Sequence, residues 1–188
     1  MTQKKLRITG ANGGAYQLGQ PMCVHDAGVL LGTLDPVPVG NAGTEIHVEH
    51  FTPTRVVREE QRHVGRLVFL EICEFVAENF HQVQAISFAF AREVSMLGGG
   101  AQQAIARAET MARIGAINVQ VAPKPNAMPG FFSVSGVWAY SEQNLAALRV
   151  VLHEERALYR DRPIAAEAVE KPGVRAALRR LVPRRGGV

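Results

Sequence analysis

From Cys23 to Ala91 the spacing of apolar residues changes period repeatedly, and the changes mark out a hairpin, a strand, a helix and a second strand. Residues 23–34, Cys-Val-His-Asp-Ala-Gly-Val-Leu-Leu-Gly-Thr-Leu, place β-branched or aliphatic residues on two arms around an Asp26-Ala27-Gly28 turn. Glu45 to Phe51 sets Ile46, Val48 and Phe51 against His47 and Glu49, as a half-buried strand does. From Arg58 to Ile72 a polar turn gives way to an amphipathic helix whose face positions, Leu67, Leu70, Cys73 or Glu74, and Ala77, recur every three to four residues. Gln84 to Ala91 is almost continuously apolar, with Ser87 the exception, and predicts a central strand covered on both faces.

The flanks extend this order. Leu6 to Thr9 predicts a short strand, followed by the glycine-rich tract Gly10-Ala-Asn-Gly-Gly14. No predicted helix opens after that tract, so it reads as a turn and not as a phosphate cradle. Asp35 to Gly43, with its prolines and glycines, is a loop. Leu97-Gly98-Gly99-Gly100 is a flexible entrance to a helix over Ala101–Arg113, with Gly115 as its stop. Ile117–Ala122 and Phe131–Tyr140 predict strands on either side of a Pro123–Gly130 loop, and a long helix begins at Glu142 and closes the domain near Asp161. Residues 1–162 therefore form one expected domain and residues 163–188 a basic tail containing proline and glycine.

Composition narrows the class. A chain of 188 residues with 47% hydrophobic content is long enough for one domain with a core. No apolar run approaches the ~20 residues that span a bilayer, and the Met-Thr-Gln-Lys-Lys start lacks the apolar region of a secretory signal, so a soluble cytoplasmic protein is expected. Cys23 and Cys73 have no metal-ligand spacing and read as reduced thiols. His47 and His50 form an H-x-x-H, but on a strand that spacing sends them to opposite faces, and no metal is expected. The net charge of +4 is concentrated in the tail, where Arg175, Arg179, Arg180, Arg184 and Arg185 crowd the end of the chain. A solvated tail is the favoured reading. An acidic partner or an anionic surface is the alternative, and nucleic acid is not expected.

This order of elements, with Asp26-Ala27-Gly28-Val29-Leu30-Leu31-Gly32 in the hairpin, resembles the GNAT superfamily of N-acetyltransferases over roughly residues 22–150. Ala106–Val119 is similar to the family's last core helix running into its next strand, and Phe131–Leu148 to the closing strand and helix of the acyl-homoserine-lactone synthase branch and its N-acyl amino acid synthase relatives. The resemblance implies an α+β fold, with a mixed, mostly antiparallel sheet flanked by helices. It also implies an acyl donor, either acyl-CoA or an acyl carrier protein with its phosphopantetheine, and a small-molecule or protein amine as acceptor. Only about a dozen residues separate Thr9 from Met22, so the helices that the family places there are expected to be reduced or absent. The acceptor side is then either open to a large substrate or completed by a second subunit, such as a homodimer partner. The N-terminal Arg, Phe and Trp determinants of the autoinducer branch have no counterpart, so homoserine-lactone synthesis is not expected.

The same resemblance points to site residues. The family's phosphate loop reads Gln or Arg, two residues, Gly, one residue, then Gly or Ala, and it falls here on Glu60–Gly65 or Arg62–Leu67, in both cases degenerate. Arg62, His63, Val64, Gly65 and Arg66, with Phe51 and Thr52 from the strand, are the expected donor-binding positions, and Arg55 and Arg58 add positive charge. Glu49 is the expected general base, and His47 lies two residues away on the same strand face. The family's usual tyrosine is absent, since Thr110 and Met111 stand there, so Tyr140, Ser133 or Ser135 is left to protonate the thiolate. Met128, Phe131 and Trp138 either line an acyl tunnel or belong to the core. Two functions remain open: an N-acyltransferase, and a catalytically eroded binding or assembly module of the same fold that works through a partner or its arginine-rich tail. An unrelated α+β domain with a coincident order of elements is the third.

Overall fold

A computed structural model describes residues 5–59, 64–92, 100–124 and 131–160. Strands β1 (Arg7–Gly10), β2 (Met22–Asp26) and β3 (Val29–Leu34) form an antiparallel meander, and the predicted hairpin is β2–β3. After the two-residue β4 (Val39–Gly40), the predicted 45–51 strand is present as two pieces, β5 (Glu45–Val48) and β6 (Phe51–Pro53). β6 pairs antiparallel with β3, whereas β5 pairs parallel with β7 (Ala85–Arg92). One stretch of chain thus joins a sheet ordered β1-β2-β3-β6 to a sheet ordered β4-β5-β7-β9-β8, where β8 is Ile117–Pro123 and β9 is Phe132–Ala139. Glu49 and His50 lie between the two ladders. β6 reaches β3 because Gly32 lacks a side chain: a Cβ there would lie 2.4 Å from the Thr52 carbonyl and 2.6 Å from the Phe51 ring.

The helices are α1 (Arg55–Glu59), α2 (Gly65–Asn79), α3 (Gly100–Arg113) and α4 (Glu142–Arg160). The polar turn and helix expected from Arg58 are therefore a short helix and a long one, with residues 60–63 between them outside the described set. α2, α3 and the C-terminal end of β9 meet on one face of the larger sheet. Phe69 of α2 packs edge-on against Phe88 and Phe90, Trp138 donates its indole N–H to the Ile114 carbonyl at 2.6 Å, and the Tyr140 hydroxyl donates to the Cys73 carbonyl at 3.0 Å. α3 stops where expected, with Gly115 at φ +86° and the Ala116 amide bonded back to the Met111 carbonyl at 3.0 Å.

The opposite face corrects the expectation of two-sided cover. β7 is central, between β5 and β9, but over residues 85–90 only Ile86 and Phe88 are buried, and Ala85, Ser87 and Ala89 remain partly exposed. Alanine counts as apolar in a pattern while burying little area, so the run looked more enclosed than it is. Residues 11–21 connect β1 to β2 with turns and no helix, as the short spacing predicts. Tyr16 fills part of that space, buried edge-on against Phe75 and Phe80 at centroid distances of 6.2 and 5.8 Å.

α4 buries Leu148, Val151 and Leu152, and ions hold it on α2. Arg156 reaches Glu71 through Nε and Nη2, both at 2.7 Å, and Glu74 through Nη2 at 2.7 Å. Lys5 adds contacts to Glu74 and Glu78. The overall class is the expected one: mixed α+β, mostly antiparallel, without N-terminal helices among the described residues.

Candidate active site at the strand break

A cavity of about 550 Å³ opens where β5 and β6 part. Its floor is apolar and buried, made by Leu34, Val48, Val68, Phe69, Ile72 and Met111. Its mouth is polar, with Glu49, His50 and Thr52 from the break, Arg58 from α1, Gly65 and Arg66 from α2, and Gln103 and Arg107 from α3. The break explains this grouping. On a regular strand Glu49 and His50 would face opposite ways, whereas here both line the same opening, together with Phe51 and Thr52.

The start of α2 is the second component. Its first intrahelical bond among the described residues runs from the Val68 amide to the Val64 carbonyl at 2.9 Å. A Cβ at Gly65 would meet no protein atom within 4 Å, so packing does not require glycine there. The Arg66 Nη2 lies 2.7 Å from Glu155 Oε1 of α4, but its Nε is buried with no hydrogen-bond partner. A buried, unsatisfied cationic donor beside a cavity is costly unless something accepts its bond.

The expected site residues divide in two. Glu49, Phe51, Thr52, Val64, Gly65 and Arg66 all line the cavity, while Arg62 and His63 lie outside the described residues. His47 does not join Glu49. Its Nδ1 is 3.0 Å from Ser87 Oγ on the neighbouring strand, because the strand ends at Val48 and the alternation that would pair 47 with 49 stops there. Tyr140 is likewise elsewhere: its hydroxyl bonds the Cys73 carbonyl, and burial pushes its pKa far up. Ser133 bonds the Ala122 carbonyl on β8 at 3.3 Å. Trp138 is fully buried in the core, and Met128 lies outside the described residues. Cys73 is buried and Cys23 partly so, both are free thiols, and burial raises the Cys73 pKa well above its usual range.

Sequence reasoning missed His50, Phe90, Gln103, Arg107 and Met111 as cavity residues. One signal was available. The apolar alternation slips from Val48 to Phe51, a spacing of three, and such a slip marks a break in a strand. Among the described residues no group of three or more His, Cys, Asp or Glu side chains is placed to hold a metal, and no helix is long and apolar enough to cross a membrane.

No protein-family model matches this chain, and no curated protein does. Several solved structures do. The N-terminal domain of a ribosomal-protein-alanine acetyltransferase from Clostridium acetobutylicum is 11% identical over 76% of this chain and 97% of that one, with a TM-score of 0.42. Nourseothricin acetyltransferase is 12% identical over 73% of this chain and 85% of its own, with a TM-score of 0.36. A protein of unknown function from Aquifex aeolicus is 13% identical over 86% and 81%, with a TM-score of 0.42. This chain's topology has antiparallel strands, one parallel pair at the split, a helix after the split strand, and a last antiparallel strand inserted between β7 and β8. The fold is mixed α+β with mostly antiparallel sheets.

Proposed function

We propose that this protein is an N-acyltransferase that moves an acyl group from coenzyme A, or from the phosphopantetheine of a carrier protein, to an amine. The observation that carries the reading is the parting of β5 and β6 at Glu49–His50, beside a cavity that the start of α2 also lines. Helix-start amides and the guanidinium of Arg66 suit phosphate oxygens, and Arg58 and Arg107 add charge from two further elements. The empty space at Gly65 lets a phosphate approach the backbone. The apolar floor suits the pantetheine arm and acyl group.

In this reading Glu49 accepts the proton of the attacking amine as its nitrogen bonds to the thioester carbon and the C–S bond breaks. The absence of helices between β1 and β2 leaves room for a bulky amine, including one on a protein. A binding module is the second reading. It is favoured by the ion pair of Arg66 with Glu155, which already occupies part of the guanidinium.

The test is calorimetric titration with acetyl-CoA, a long-chain acyl-CoA and an acyl-loaded carrier protein. Binding of one donor, weakened by Arg66→Ala, is expected. Glu49→Gln is expected to cut turnover roughly hundredfold or more while leaving donor affinity unchanged. Failure of every donor to bind transfers the assignment to the binding module.

A further inference from the structure

We propose that His50 is the general acid of this transfer, giving a proton to the departing thiolate while Glu49 takes one from the amine; the proposal rests on the acyltransferase reading above. A thiolate leaving group needs a proton donor within the cavity. The ionisable side chains among the described cavity residues are Glu49 and His50 at the strand break, Arg58 of α1, Arg66 of α2 and Arg107 of α3. Arginine stays protonated at any working pH and does not donate. Glu49 is the base. The hydroxyl of Tyr140 is committed to the Cys73 carbonyl, and at the end of α3 Met111 lines the floor while the Thr110 hydroxyl bonds the Ala106 carbonyl at 2.9 Å. His50 is left, and it is exposed at the mouth.

The chemistry fits the residue. An imidazolium, with an ordinary pKa of about 6.5, passes a proton favourably to a thiolate whose conjugate acid lies near 8.5. As the C–N bond forms and the C–S bond breaks, one proton leaves the amine for the Glu49 carboxylate and one leaves His50 for sulfur. Return of a proton from Glu49 to His50, which are neighbours in sequence, restores both groups. The net change is amine plus thioester to amide plus thiol.

The experiment follows thiol release from acetyl-CoA with a panel of primary amines, including a short peptide with a free α-amine, from pH 5 to 9. A general acid works when protonated, so wild-type kcat is expected to fall as pH rises through the imidazole range. His50→Gln should lower kcat roughly hundredfold and abolish that fall, with donor affinity by calorimetry and melting temperature unchanged. In His50→Gly, added imidazole should restore part of the rate, a gain that a purely structural role would not produce. Wild-type kcat and pH profile in His50→Gln would overturn the proposal, as would loss of the alkaline fall in His63→Gln instead. If the wild type binds a donor yet releases thiol with none of the amines, His50 loses its role while the donor site stands. If no donor binds, the acyltransferase reading itself fails.

Discussion

Two arginines bridge α2 and α4, and they are satisfied very differently. Arg156, 8% exposed, is closed by three hydrogen bonds of 2.7 Å to Glu71 and Glu74. Burial alone would lower its pKa, but the two carboxylates outweigh burial and drive it up; burial alone would raise the pKa of Glu74, but Arg156 and Lys5 outweigh burial and hold it below its ordinary value. Arg66, nearer the start of α2, has Glu155 at 2.7 Å and a buried Nε with no partner. The same pair of helices is thus locked at one place and left open at the other, and the open place is the one that faces the cavity. A completed ionic cluster fixes geometry, whereas an incomplete one beside a cavity holds a donor ready for a ligand.

The largest expected effect falls on the closed place. Arg156→Met leaves Glu71, 3% exposed, without its bidentate partner, and should cost about 3–5 kcal/mol in chemical denaturation. Donor affinity, measured well below the melting point, should not change. The acid limb gives a second readout. Because the folded-state pKa of Glu74 is depressed below 4.5, its contribution is present above that value and is lost as pH falls through the lowered one. Wild-type stability should therefore drop on acidification below about pH 4.5, and the drop should shrink in Arg156→Met. Equal denaturation midpoints for the two proteins would erase the distinction between the arginines.

Which parts of the molecule could be read in advance follows from how local their physics is. Period and punctuation located the β2–β3 hairpin, α3 with its Gly115 stop and the α4 start, since each is set by residues adjacent in the chain. Resemblance and basic charge pointed to Glu49, Gly65 and Arg66 as site residues, and all three line the cavity. The break at Glu49–His50 was not foreseen, because it depends on Gly32 leaving room for the Thr52 carbonyl and the Phe51 ring, a contact between residues about twenty apart in the chain. For the same reason His47 was expected beside Glu49, and its bond to Ser87, a residue on β7, could not be seen. The role of Arg156 was equally hidden: a helix pattern does not announce that a charged residue will be buried against Glu71 from another helix.

A smaller effect is expected at Tyr140, which shares the closed character of Arg156. Tyr140→Phe removes the bond to the Cys73 carbonyl but keeps the ring, whose centroid lies 4.6 Å from that of Trp138. The loss should be about 1 kcal/mol of stability, with thiol release unchanged. A collapse of turnover with stability intact would instead make Tyr140 the proton donor and move the chemistry away from the cavity mouth.

The smallest change, and the most discriminating, is Glu155→Gln. Glu155 is the carboxylate competing with any phosphate for Arg66, whose side chain is 35% exposed, so the pair contributes at most about 1 kcal/mol to stability. Removing its charge should leave the denaturation midpoint nearly unaltered and raise donor affinity a few-fold, because Glu155 is the carboxylate paired with Arg66 among the described residues. The gain should disappear at high salt and in the double variant with Arg66→Ala, since both remove the attraction that Glu155 opposes. A fall in affinity would reverse the assignment: Glu155 would be aiming the guanidinium at the donor and not restraining it, and the open arginine would prove as deliberately fixed as the closed one.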